Sequence, residues 1–380
     1  MPEQLRTKAE ATYFSKGIYK PRLEFNLALY RAWITLSLCS HVVFLGAGAS
    51  VPLGLPTMVD LGERFEETIL DNSRDLHEVL RAKQAIRRNG FQYDVESLYF
   101  YLLGRADPLS SLKKAGPYAA SICPVQPISR LKRKRIFNEI REKLEEYIIK
   151  KCYLEEEYAK RRAKTLFNRF FAKVSGVEDW EHSEPDWDNA TFEVFTTNYD
   201  NAIEYYGLEV GQIPFVGYLK TRNEKVRFVP EQYDSTNAKI KLYKLHGSVE
   251  LSLLKDGSIV AVEPPKSPGE KHRGIPIEAK VMVYGPDKNL IAEPYFELLV
   301  HLKNRLKTAH ECIVVGYSFR DPWVYQIFHD VVSHRRQRNP WIEYISPSAT
   351  YTISRFSELC ASVNPVDQSF EQYLNLPEEE

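Results

Sequence analysis

The 380-residue chain carries 51 basic and 51 acidic side chains, so no global field of either sign argues for nucleic acid or for a strongly charged partner. Five scattered cysteines, odd in number and without a Cys-x-x-Cys pair, fit reduced thiols and exclude a disulfide framework or a zinc ribbon. The polar, basic start and an apolar stretch at 27–39 that is short and broken by Arg31 predict neither a signal peptide nor a membrane span, hence a cytoplasmic location.

Residues 1–40 are read as an N-terminal helical segment suited to assembly. Residues 41–45 (His-Val-Val-Phe-Leu) form an apolar run stopped by Gly46, the pattern of a buried parallel strand entering a tight turn. Thr57, with Asp60 three residues on, predicts a helix start, the helix running to about Leu70. From 63 to 188 the strand signal almost vanishes, and helices are predicted at 75–88, 94–103 and along the charged stretch 130–173. There Phe137, Ile140, Leu144, Tyr147, Ile148, Leu154 and Tyr158 recur at three- to four-residue spacing and mark one packed face. This block reads as a helical insertion. Strand-like runs return at 192–196, 240–245, 258–262, 280–283, 312–316 and 341–345, with helical patterns at 294–307 and 322–334. Their alternation predicts an α/β fold, a Rossmann-like parallel sheet with helices on both faces, assembled from 41–62 and 189–380. The loop at 263–276, rich in Pro, Gly and Lys, is expected to be mobile. The basic run 130–135 has two readings, a solvated helix start or a contact for DNA or an acidic partner.

Four short islands end apolar strand-like runs: Gly46-Ala47-Gly48-Ala49-Ser50, Thr196-Thr197-Asn198-Tyr199-Asp200, Leu245-His246-Gly247-Ser248 and Gly316-Tyr317-Ser318-Phe319. Open α/β sheets bind ligands at strand ends, so four islands predict one crevice, suited to a dinucleotide. In the first island, small residues admit main-chain N–H groups to a pyrophosphate, with help from the following helix. The ordinary dinucleotide fingerprint would need a third glycine where Val51 stands, and Gly54 comes three residues too late. A close-packed turn without ligand explains the island equally. Asn198 is expected to project its amide into the crevice, where it donates and accepts; an Asx-turn or helix cap is the competing reading, and Asp200 suits a cap. His246, at a strand end beside Gly247, is placed to exchange a proton near neutral pH. Ser318 offers a hydroxyl to a ribose or phosphate and Phe319 a face for a base, unless Ser318 and Asp321 simply cap the helix near Pro322.

In this order and spelling the islands resemble the sirtuin-like superfamily, across roughly residues 41–345 without the helical block. Thr-Thr-Asn-Tyr-Asp together with Lys-Leu-His-Gly-Ser looks most like the bacterial antiphage-defence branch. The deacylases' zinc module is lacking, and Thr57-Met58-Val59 stand where deacylases have Asp-Phe-Arg, which puts peptide deacylation in doubt. The resemblance implies an NAD glycohydrolase that gives nicotinamide and ADP-ribose, with NAD as substrate and no metal, and that depletes NAD during phage defence. It implies that Asn198 holds a water and the nicotinamide-side ribose, and that His246 is a general base through a ribose hydroxyl. The cofactor contacts it implies fall on Gly46, Ala47, Gly48, Ser50, Thr57, Asp200, Gly247, Gly316, Ser318 and Phe319. It further implies a homo-oligomer and, as partner, a HerA-type hexameric ATPase. A scaffold that binds NAD or ADP-ribose without hydrolysis is the alternative.

Overall fold

The computed structural model describes residues 39–106, 131–220, 225–254, 259–261, 271–272, 275–282, 294–333, 340–356, 359 and 362–377. The N-terminal segment up to 38, Arg130 of the basic run and most of the loop at 263–276 lie outside them.

The strands are β1 (Cys39–Leu45), β2 (Ala190–Thr196), β3 (Tyr218–Lys220), β4 (Lys225–Phe228), β5 (Ile240–Lys244), β6 (Gly247–Leu254), β7 (Ile259–Ala261), β8 (Lys271–His272), β9 (Ile275–Met282), β10 (Glu311–Val315), β11 (Trp341–Ser346) and β12 (Val363–Asp367). Six of them make one sheet in the order β12-β11-β10-β1-β2-β5, every neighbouring pair parallel. Numbered along the chain, that is the doubly wound order 3-2-1-4-5-6 read from the other edge, so the direction of winding reverses between β1 and β10. The predicted parallel fold is therefore present. The described parts of the runs at 258–262 and 280–283 lie in β7 and β9, which belong instead to a second, antiparallel sheet in the order β3-β4-β7-β6-β9-β8 that the sequence reading did not separate. A short apolar run looks the same in either sheet.

The helices are α1 (Met58–Thr68), α2 (Ser73–Arg88), α3 (Val95–Ala106), α4 (Leu131–Cys152), α5 (Glu157–Val174), α6 (Ala202–Glu209), α7 (Gln232–Ser235), α8 (Tyr295–Thr308), α9 (Pro322–Ser333), α10 (Ala349–Ser354) and α11 (Phe370–Tyr373). Side chains of β1 alternate between two cores, as strand geometry requires. Val43 and Leu45 join Phe167, Phe170 and Phe171 of α5 on one face, and Val42 and Phe44 join Leu302 of α8 and Phe328 of α9 on the other. A third core lies among α1 to α4 and includes Phe65, Val79, Leu98, Phe137 and Leu144. Among the described residues the helical stretch 63–188 divides physically: α1 to α4 share one core, which Tyr199 and Val249 also join, and α5 packs on the parallel sheet. The spacing at 137–158 follows this division, because Leu154 joins the sheet's core and Tyr158 stays exposed.

Candidate functional site

β5 ends at Lys244 and β6 begins at Gly247, so the parallel sheet hands over to the antiparallel one across Leu245 and His246. Gly247 makes the corner with φ 91°, a conformation open to glycine and strained for a side chain. His246 is buried at this corner, and its Nε2 lies 2.9 Å from Asp321 Oδ2. A carboxylate only accepts, so Nε2 carries the hydrogen, and Asp321 fixes the ring's orientation and tautomer. The other oxygen of Asp321 accepts the N–H groups of Trp323 at 2.9 Å and Val324 at 3.4 Å, capping α9. One carboxylate therefore does both jobs, where the sequence suggested the cap alone. His246 Nδ1 lies 3.9 Å from Glu96 Oε1, on the first turn of α3, and the Tyr199 hydroxyl donates to that same oxygen at 3.3 Å.

The first and fourth islands meet back to back at the winding reversal. Gly46 N–H donates to Val315 O at 2.9 Å and Gly48 N–H to Gly316 O at 3.0 Å. A Cβ on Gly48 would stand 2.7 Å from Gly316 Cα, and one on Gly316, where φ is 60°, would stand 2.4 Å from Gly48 Cα. Both glycines are demanded by backbone approach. The N–H groups of Ala49 and Ser50 donate to Gly46 O and Ala47 O, within the 3-10 turns Ala47–Ala49 and Val51–Leu53 that precede α1. The expected phosphate cradle is thus corrected: the N–H groups of Gly46, Gly48, Ala49 and Ser50 are spent on the protein's own carbonyls. Nor does α1 follow the island directly, and Thr57 and Asp60 close its start with a reciprocal capping box.

Asn198 sits beneath this turn. Its Nδ2 donates to Gly46 O at 3.0 Å and to Ser50 Oγ at 2.9 Å, and Ser50 Oγ donates to Asp200 Oδ2 at 2.8 Å. Asp200 Oδ1 also accepts from Ala202 N at 3.1 Å, which makes it the cap of α6. The expectation of an amide projecting into the crevice is corrected accordingly: the donor half holds the first island in place. The acceptor half differs, since Asn198 Oδ1 is buried with no hydrogen-bond partner among the described residues.

A crevice of about 820 Å³ opens at the winding reversal, within the size range of small-molecule sites. Of the predicted site residues it is lined by Ala47, Gly48, Thr57, His246, Gly316 and Ser318. Gly46, Ser50, Asn198, Asp200, Gly247 and Phe319 are not among its lining residues. Gly46 and Gly247 serve backbone geometry, and Ser50 and Asp200 are bonded inward. Phe319, with φ 54°, turns its ring into the core against Tyr317, Phe328 and Tyr344 and offers no face to a base.

Sequence reading missed two stretches of wall. Gln92, Asp94, Glu96 and Phe100 come from the helical block, and Ser346, Ser348, Thr352 and Glu371 line the far end. The only available signal was that Asp94 and Ser97 spell a helix cap, which the structure confirms, with Ser97 N–H donating to Asp94 Oδ1 at 2.8 Å. Burial raises the Asp94 carboxyl above its ordinary range, against that hydrogen bond and the charge of Arg320. Arg320 Nε donates to Ser318 Oγ at 3.1 Å and its Nη1 lies 3.7 Å from Asp94 Oδ2, so this guanidinium reaches from the fourth island to the helical block.

A doubly wound parallel sheet with a ligand-sized crevice at its winding reversal defines a Rossmann-like protein. Within it, residues 193–361 match the family model described as a SIR2-like domain. No curated protein matches the chain. Among solved structures, one described as a mutant Sir2 homologue in complex with ADP ribose is similar to it at 14% identity. That alignment covers 91% of this chain and 93% of the other, with a TM-score of 0.39. Among the described residues no helix is long and apolar enough to cross a membrane, and no group of three or more His, Cys, Asp or Glu side chains is placed to hold a metal.

Proposed function

We propose that the protein is an NAD glycohydrolase that releases nicotinamide and ADP-ribose. The observation that carries this reading is the His246–Asp321 pair, 2.9 Å apart and both on the crevice wall. A binding site has no need of an imidazole held in one tautomer by a carboxylate, whereas a general base does. NAD is the substrate, lying along the crevice with its phosphates past Gly48, Thr57 and Ser318. The glycosidic electron pair departs with neutral nicotinamide, water supplies the oxygen to the anomeric carbon, and its proton passes to His246 through a ribose hydroxyl. Asp321 stabilises the resulting imidazolium. Preorganised geometry of this kind contributes on the order of 7–11 kcal/mol to lowering a barrier.

The physiological role we infer is depletion of NAD in antiphage defence, held silent by assembly in a homo-oligomer or with a HerA-type ATPase. Residues 1–40 and the helical block 63–188 would provide the assembly surfaces. A second reading, binding of NAD or ADP-ribose without turnover, is favoured by the main-chain donors of the first island being spent internally. Nicotinamide release by the purified protein, with and without the ATPase, separates the two. We expect turnover that His246→Ala lowers at least about 100-fold while the unfolding midpoint holds. Tight ADP-ribose binding without any nicotinamide release would leave the scaffold reading standing.

A further inference from the structure

We propose that Arg320 is a phosphate-binding residue that takes the pyrophosphate of the dinucleotide. The inference rests on the nucleotide reading above and names a side chain for the part of the ligand that the first island does not serve. The N–H groups of Gly46, Gly48, Ala49 and Ser50 are engaged by the protein's own carbonyls, so the positive charge that a pyrophosphate calls for has to come from a side chain. Among the described residues that line the crevice, Arg320 is the only lysine or arginine, and the same wall carries the carboxyl groups of Asp94, Glu96, Asp321 and Glu371. Without Arg320, an anionic ligand would meet those acids and one imidazole. The guanidinium also stands where the reading above runs the phosphates. Its Nε donates to Ser318 Oγ at 3.1 Å, which holds it beside the fourth island at the winding reversal.

The group is held loosely enough to take an anion. From the helical block Gln92 Oε1 accepts from Nη1, but Asp94 Oδ2, at 3.7 Å, is too far for a hydrogen bond. The Arg320 side chain is 46% exposed, and an ion pair so open to water contributes little. These contacts use fewer N–H groups than a guanidinium carries, and its planar fork matches a pair of phosphate oxygens. Ser318 and Gln92 thus aim the group, and a phosphate replaces the distant Asp94 as its anionic partner.

Calorimetric titration of the full chain with ADP-ribose reads the contact without requiring turnover. We expect Arg320→Gln to bind at least about tenfold more weakly, the scale of a hydrogen bond to a charged group. Arg320→Lys should recover part of the loss, and the unfolding midpoint of both variants should hold. Asp94→Asn keeps an oxygen for the Ser97 N–H and removes the rival charge, so it should bind ADP-ribose as tightly as wild type or more tightly. An Arg320 that merely braced the helical block would make Arg320→Gln and Asp94→Asn weaken binding alike. Where the wild type releases nicotinamide, Arg320→Gln should raise KM by more than it lowers kcat, because the pyrophosphate is unaltered as the glycosidic bond opens. Equal binding of ADP-ribose by Arg320→Gln and wild type, or an equal loss in Asp94→Asn, overturns the proposal and leaves the nucleotide reading intact. A wild-type chain that does not bind ADP-ribose overturns both.

Discussion

Two charge pairs stand two residues apart on one segment of chain, and they are used in opposite ways. Lys244 is buried and sealed, with Nζ 2.7 Å from Glu204 Oε1 and donating also to the carbonyl oxygens of Tyr199 and Asp200. His246 is equally buried, but its pair with Asp321 opens on the crevice. The first pair clamps the Asn198–Asp200 loop to the end of β5; the second presents an ionisable ring to whatever enters. Burial and pairing alone therefore do not mark a reactive group. What separates the two is whether the remaining atoms face protein carbonyls or a cavity.

The comparison is most exposed at Lys244. Lys244→Met takes the cation from the buried Glu204 carboxyl and two carbonyls, and above pH 7, where that carboxyl is ionised, breaking a buried pair from one side costs roughly 3–5 kcal/mol. Denaturant unfolding should show that loss, and the double variant Lys244→Met with Glu204→Gln should recover part of it. A loss no greater than that of His246→Ala would erase the distinction. Asp321→Asn probes the other pair: the side-chain oxygen can still cap α9, but the charge behind the imidazole is gone. Turnover should fall about tenfold or more with the unfolding midpoint nearly unchanged, and a fall in stability without loss of turnover would assign Asp321 to the cap alone.

The smallest effect is a pH slope. Burial pushes the Glu204 carboxyl up to about 7, with Lys244 pulling the other way and Glu250 adding to the rise. In the folded protein Glu204 thus holds its proton where the unfolded chain has lost it. Its contribution to stability is full below the ordinary carboxyl range and is lost as pH rises toward 7. His41, lowered by burial to about 4, acts oppositely over much of the same window, because the unfolded chain takes up a proton there that the folded one refuses. Stability of Glu204→Gln compared with wild type between pH 5 and 7 isolates the first term. The difference between them should shift in the variant's favour as pH rises, and parallel curves would show that Glu204 is ionised throughout.

Five strands of the parallel sheet, β1, β2, β5, β10 and β11, were legible as mainly apolar runs, whereas the edge strand β12, Val-Asn-Pro-Val-Asp with a half-exposed burial pattern, was not. His246 was legible for the same reason, being a titratable residue at a strand end. The second sheet was not, since β6 and β9 carry the same short runs and only pairing tells antiparallel from parallel. Phe319 misled because an aromatic beside Gly-x-Ser looks like a base platform, and a positive φ, invisible in composition, turns it inward. Glu96 carried no signal at all, being one acidic residue among many on a helix start.

By itself, then, the sequence determined the local order: which runs are strands, where they stop, and which polar residues stand at their ends. Only the tertiary structure decided what those end residues face. Strand register and winding direction set Gly48 against Gly316, spending the Gly48 donor on Gly316 O and the Gly316 donor on Ile345 O, and chain segments far apart in sequence bring Asp321 and Glu96 to either side of one imidazole. Spacing along a chain fixes neighbours within an element, whereas contacts across elements depend on packing that no local pattern encodes.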